Sequence, residues 1–335
     1  MANILNIRDE PVFDDRIVKI ETHAYNPFAN TTFGYSDKIR IPIQQQDLYT
    51  LPHESFLYIE RKLTKGKVVA GADVILGDNC IAFMFDEIRY ELDGVEIDRN
   101  RNVGVTSTLK NYATVSSNRS VILRNAGWLS PTMNANDYFN FWVPLNMLLG
   151  FCEDYSMGFR SWNLYEFPLL QLTTKHSWAI KTATQLEKPR YLIFALQTGR
   201  KNVMSEDNSR FDDCKLTNVK PYLNSECYPY DDMNFDFGKR RYAILYDAYA
   251  RFCKEYYGYE YLEPNLTVTS FLLNGPFVII DCSRQNESVK IATVDVRLEF
   301  ECKDNVASNT TAYCLIIYDR LVQYNLLTNV IPKIT

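Results

Sequence analysis

The stretch from Ile81 to Asp98, IAFMFDEIRYELDGVEID, sets an Asp-Gly pair between two arms of alternating apolar and polar residues. Asp93-Gly94 supplies the positive φ angles of a two-residue turn, so the stretch folds as an antiparallel hairpin. The turn fixes an expected register: Leu92 faces Val95, Glu91 faces Glu96, Tyr90 faces Ile97, and Arg89 faces Asp98 with Glu96 on its diagonal. One face is apolar and the other charged, as in a sheet with one side on a core and the other in water.

The rest of the chain repeats this β signature. Lys38 to Ile43 reads as an edge strand, with Ile39, Ile41 and Ile43 on one face and Pro42 interrupting its donors. Ser55 to Leu63, Lys67 to Leu76 and Tyr138 to Leu145 are further strands, whereas Met147 to Tyr155 is ambiguous by periodicity. Asn100 to Ser120 is a polar excursion in which Ser107 to Tyr112 makes at most a helical turn. In the second half, an aromatic-rich run at Phe159 to Phe167 leads to strands at His176 to Lys181, Arg190 to Gln197 and, more weakly, Leu216 to Tyr222. Four more are expected at Leu266 to Leu273, Pro276 to Cys282, Thr293 to Cys302 and Thr311 to Tyr318. The third of these alternates strictly, with Val294, Val296, Leu298, Phe300 and Cys302 opposed to Asp295, Arg297, Glu299 and Glu301. One convincing helix interrupts them, Lys239 to Tyr257. There Tyr242, Leu245, Tyr246, Tyr249, Phe252, Cys253 and Tyr256 form one stripe, and Gly258 ends it.

The 335 residues, 46% of them hydrophobic and 14% aromatic, are enough for two domains with ample cores. Many strands with a single inserted helix favour a sandwich or jelly roll over a parallel α/β fold. The expected fold class is therefore mainly β: two tandem antiparallel jelly-roll (β-sandwich) domains, residues 1–155 and 156–335, with a helix inserted in the second.

Chemistry-bearing patterns are sparse. His23, His53 and His176 lie far apart with no metal-ligand spacing, and each reads as structural. Asp231-Asp232, after Pro229, reads as a solvated turn. No phosphate loop, nucleophile elbow or zinc-protease helix is present. No catalytic, cofactor-binding or metal residue is assigned, and no cofactor is expected. The balance of 36 basic against 41 acidic side chains, without a basic block, argues against direct nucleic-acid binding.

The start, Met1 to Asp15, reads as a mobile arm and lacks the features of a secretory signal. The apolar run Tyr138 to Phe151 is too short and too interrupted to span a membrane. The 8 cysteines contain no CxxC pair and are expected as free, mostly buried thiols of a reducing compartment. The sequons at Asn30, Asn118, Asn265, Asn286 and Asn309 are then no more than polar loop residues.

Six segments carry a family resemblance: FDEIRYELDGVEIDRNRNVGVTSTLKNY, FWVPLNMLLGFCEDY, SWNLYEFPLLQLTTKHSWAIKTATQLEKPRY, FALQTGRKN, YPYDDMNFDFGKRRYAILYDAYARFCKEYYGY and NLTVTSFLLNGPFVIIDCSRQNES. Together they resemble the double jelly-roll-like proteins encoded in arthropod genomes, over most of the chain. The resemblance implies the architecture of major capsid proteins of icosahedral DNA viruses and related mobile elements, in which pseudo-hexagonal trimers tile a shell. The implied role is a structural protein, not an enzyme. Its partners would be copies of itself, as a homotrimer and higher assembly, and other capsid proteins; it would reside in a virion or the cytoplasm. The alternative is a domesticated jelly roll that binds a ligand or protein without forming a shell. One departure is visible. This chain joins Asp154-Tyr155 directly to Met157-Gly158-Phe159, where the family pattern interposes strands, and the closing strands of the first jelly roll are left unaccounted for.

Overall fold

A computed structural model describes residues 19–28, 33–44, 50–62, 76–129, 138–153, 158–180, 188–203, 205–224, 226–258, 263–284, 294–322 and 333–334. The arm expected at Met1 to Asp15, the strand at Lys67 to Leu76 except its last residue, and the junction at Asp154 to Met157 lie outside them.

Residues 1–50 and 51–335 form separate units. Among its described residues the first has neither helix nor strand. The strand expected at Lys38 to Ile43 is therefore not formed. The Phe28 N–H donates to the Arg40 carbonyl at 2.9 Å, and Ile39, Ile41 and Ile43 stay exposed. An alternating pattern makes a strand only where a ladder partner and a core await it.

The second unit runs β1 (Phe56–Lys62), β2 (Glu87–Leu92), β3 (Val95–Arg101), α1 (Val103–Thr114), α2 (Ser117–Ile122), β4 (Tyr138–Pro144), β5 (Gly158–Phe167), β6 (Lys175–Ile180), β7 (Pro189–Thr198), β8 (Leu216–Leu223), β9 (Glu226–Cys227), α3 (Ala243–Tyr257), α4 (Val268–Asn274), β10 (Val278–Asp281), β11 (Val296–Cys302), β12 (Thr310–Val322) and β13 (Lys333–Ile334). The fold is mainly β, with antiparallel pairing throughout the described ladders.

Strands β5 to β12 close a complete jelly roll. One sheet is ordered β5-β12-β7-β10, with β13 at the end of β12, and the other β6-β11-β8-β9. The sheets face one another through Phe194 on Phe300, ring centroids 4.8 Å apart, and Phe167 on Trp178, 5.6 Å. Strand β11 buries Val296, Leu298, Phe300 and Cys302 and turns Arg297 outward, as its alternation requires. Strand β12 does not alternate: Thr310 through Tyr318 are all buried. Its sheet is covered twice, by the other sheet inside and by helices outside, where Tyr191 of β7 meets Phe252 of α3 edge-on at 4.8 Å.

The region before residue 154 is built differently. Among its described residues the strands form only two ladders, β1 with β4 and the hairpin β2 with β3. Asp93 and Gly94 both have positive φ, 48° and 78°, as the turn demands. Beyond Glu91 opposite Glu96 the register departs from expectation. A bulge at Ile97 sets Tyr90 opposite Asp98 and Arg89 opposite Arg99. The extra residue sends Ile97 and Asp98 both inward. The first arm is also shorter than expected, because Ala82–Met84 form a 3₁₀ turn.

Three helical features differ from the sequence reading. The polar excursion contains α1, a helix of 12 residues whose every residue is buried. Gly104 lets it approach the 3₁₀ turn, since a Cβ there would sit 2.1 Å from the Phe83 ring. Leu266 to Leu273, expected as a strand, is mostly helix α4. The Thr267 hydroxyl accepts from the Ser270 N–H at 3.2 Å as its N-cap, and only Phe271 of the helix is buried. The main helix begins at Ala243 rather than Lys239, because Arg240 takes a left-handed φ after a 3₁₀ turn. Its stripe is core as expected, with Leu245, Tyr249, Phe252, Cys253 and Tyr256 buried and Gly258 closing it at φ 70°. Of Met147 to Tyr155, ambiguous in sequence, the described part to Glu153 contains the end of a 3₁₀ turn at Leu145–Met147 and a second at Gly150–Cys152.

Candidate functional site

The histidines remain apart. His23 pairs with Glu21 on the surface at 3.0 Å, His53 lies 3.6 Å from Glu54, and His176 is buried, stacked on Phe300 with centroids 4.7 Å apart. Burial holds the His176 pKa below its ordinary value, opposed by a ring nitrogen contact of 3.0 Å to the Thr173 carbonyl. Asp232 receives Lys220 Nζ at 2.6 Å and Asn218 Nδ2 at 2.8 Å, which lower its pKa and pin a turn against β8. All 8 cysteines are free, and five of them are buried. Among the described residues no group of three or more His, Cys, Asp or Glu side chains is arranged to hold a metal ion.

The chemically richest place is one the sequence reading left unmarked: the polar side of α1. Lys110 is 3% exposed in its side chain and forms an ion pair with Glu153, itself 10% exposed. Lys110 Nζ also donates to the Asn146 carbonyl at 3.1 Å and lies 4.2 Å from the Trp162 ring centroid. The other side of the Glu153 carboxylate accepts the Tyr256 hydroxyl at 2.5 Å, and Tyr257 donates to Oε1 at 3.3 Å. Trp162 Nε1 donates to the Tyr256 hydroxyl at 3.3 Å. Arg160 caps the group by bonding the Tyr256 carbonyl and lying 4.2 Å over its ring.

Burial sets the electrostatics. Desolvation lowers the Lys110 pKa, with Glu153 opposing it, and raises the Tyr256 and Tyr257 pKa values well above the usual phenol range. Nearby, Asp98 is held by the N–H groups of Phe151 at 3.0 Å and Arg99 at 2.9 Å, yet burial still raises its pKa. The remaining polar residues of α1 bond inward as well: Asn79 Nδ2 reaches Ser107 at 2.7 Å and Thr108 at 3.0 Å, and Asn111 Nδ2 reaches the Met147 carbonyl at 3.1 Å.

The arrangement ties α1, the turn ending at Cys152, strand β5 and helix α3 into one hydrogen-bonded layer. Its chemistry is that of a clamp: the amine and the carboxylate satisfy each other, and the tyrosines donate to the carboxylate. Lys110 gave no signal in the sequence because a lone lysine in a polar run reads as surface. The cue that was present is the burial-prone company of Gly104, Val105, Leu109 and Tyr112 at helical spacing.

Residues 74–157 and 155–322 match the family model of the double jelly roll-like domain. No curated protein matches the chain in sequence. Among solved structures it is similar to VP54 of the virus PBCV-1, as fitted into a reconstruction of the virophage Sputnik. That likeness has 10% identity and a TM-score of 0.48 over 88% of this chain and 99% of that one. It is also similar to the PBCV-1 capsid in a quasi-atomic model, at 7% identity and TM-score 0.45 over 88% and 99% of the two chains. A third similarity is to the major capsid protein P2 of bacteriophage PM2, at 9% identity and TM-score 0.31 over 78% and 97%.

Proposed function

The chain belongs to the double jelly roll-like domain family, and on that premise we propose that it is a capsid-like structural protein that works by self-association and not by turnover. The observation that carries the proposal is the family match across residues 74–322. Two further features support it. The second jelly roll sets two sheets face to face, and the buried Lys110, Glu153 and Tyr256 bond one another while Lys110 and Asn111 also donate to backbone carbonyls, in the manner of a scaffold.

In this reading the domains divide near residue 155, and copies assemble as trimers and larger bodies, alone or with other capsid proteins. With 41 acidic against 36 basic side chains, the protein would leave any genome to another component. No helix among the described residues is long and apolar enough to cross a membrane. Negative-stain imaging of the purified protein tests the proposal: regular trimers or particles are expected, and a field of single subunits at every concentration tried would contradict it.

A further inference from the structure

The outer face of the β1–β4 ladder carries exposed aromatic rings. Its inner face buries Phe139, Phe141 and Val143. Outward, Phe56 is 48% exposed, Tyr58 51%, Tyr138 68% and Trp142 43%. The outer rings form a cluster, with Trp142 5.5 Å from Phe56 and 5.8 Å from Tyr58, centroid to centroid. Lys62 Nζ lies 5.2 Å over the Tyr138 ring, and the Tyr58 hydroxyl donates to Glu60 at 3.2 Å. Contiguous exposed rings of this kind mark contact surfaces more than solvent-facing sheet.

We propose that this face is covered by the same face of a second copy of the chain, related by a two-fold axis parallel to the strands, so that β1 of each copy lies over β4 of the other. The proposal rests on the self-association reading above and names one of its contacts. The face is self-complementary. Within the ladder Phe56 faces Pro144, Tyr58 faces Trp142, Glu60 faces Asn140 and Lys62 faces Tyr138. The two-fold places the same partners opposite one another between copies: ring against proline, ring on ring, carboxylate with amide, and cation over ring.

Charge points the same way. The exposed face carries one acidic and one basic residue, both on β1, while β4 contributes Tyr138, Asn140 and Trp142. No like charges meet across the axis, and a neutral face offers nothing to a polyanion. Size sets the strength. A ladder of seven residue pairs presents about 24 Å by 10 Å, so roughly 500 Å² in total would be covered, below the ~1,000 Å² of an independently stable interface. The contact is therefore weak in isolation and gains from repetition in an assembly.

Sedimentation velocity on the full chain, up to hundreds of micromolar, tests this with the double variant Tyr58→Ser/Trp142→Ser. The wild type is expected to associate with rising concentration, and the variant at least about tenfold more weakly with an unchanged urea midpoint. A folded variant that associates like the wild type would overturn the two-fold contact while leaving self-association in place. A wild type that stays monomeric throughout would overturn both. Should the variant fold poorly, acrylamide quenching of the wild type decides, because Trp142 is the one exposed tryptophan of the four. Quenching should fall as concentration rises. Quenching independent of concentration, or lost only on adding phosphatidylcholine vesicles or an oligonucleotide, contradicts a second copy as the occupant.

Discussion

The two halves of the molecule reach burial by opposite means. After residue 157 the described strands, nine in all, form two facing sheets, and the interior is Phe194, Phe300, Leu298 and their apolar neighbours. Before residue 154 the described strands form two short ladders, and the centre is occupied by a helix that buries Thr106, Ser107, Thr108, Lys110, Asn111 and Thr114. An apolar sandwich tolerates volume-conserving change, because dispersion and hydration are non-directional. A polar layer depends on directional bonds, so removing one partner of a buried charged pair costs more than replacing both by apolar groups.

Breaking the clamp on one side is the severest test of that contrast. Lys110→Met leaves the Glu153 carboxylate buried beside Trp162 and Tyr256, and should cost about 3–5 kcal/mol by urea denaturation. The paired change Lys110→Met/Glu153→Leu should restore most of the loss. If the pair is as costly as the single variant, the layer is held by packing and the contrast fails.

On the sandwich side, Phe300→Ala removes a ring that touches both Phe194 and His176, and about 3–5 kcal/mol should again be lost. Here Phe300→Leu should recover more than half of it, since volume alone matters. A smaller effect separates the two glycines. Gly104→Ala drives a methyl into the Phe83 ring against α1 and should cost about 1–3 kcal/mol by overpacking. Gly94→Val meets open space, and its cost, about 1–2 kcal/mol, comes from a φ of +78° alone.

The sandwich was legible because its physics is periodic. In Thr293 to Cys302 the alternation gave both the strand and the face, since one side of β11 is wet. The β12 segment was recognisable as a strand from its apolar run, but not its double burial, because no local pattern says that helices will cover an outer face. The helix α1 was hidden by its own polar residues, whose partners Asn79, Asn146 and Glu153 lie far along the chain. Two shorter misreadings have the same origin. The β-branched run at Leu266 to Leu273 overrode a threonine cap, and the hairpin alternation could not foresee the bulge that turns Ile97 and Asp98 inward together.

The smallest expected effect is in pH. Burial raises the thiol pKa of Cys80 and Cys214 to about 11 and of Cys253, Cys282 and Cys302 to about 12, from an ordinary value of 9.0. A folded pKa above the unfolded one means that this stability is whole below pH 9 and is lost as pH rises through 11 to 12. Lys110 has the opposite sign. Its depressed pKa adds stability as pH climbs toward the unfolded value of 10.5. The urea midpoint should therefore decline above pH 9, and decline more steeply in Lys110→Met/Glu153→Leu, which lacks the compensating amine. Equal slopes would show that Lys110 does not feel its burial.

Self-association is measured most directly by multi-angle light scattering of the purified chain at tens of micromolar, across pH and salt. A mass of three subunits or more, little changed by added DNA, is the predicted result. A single mass of 39.0 kDa under every condition would contradict it.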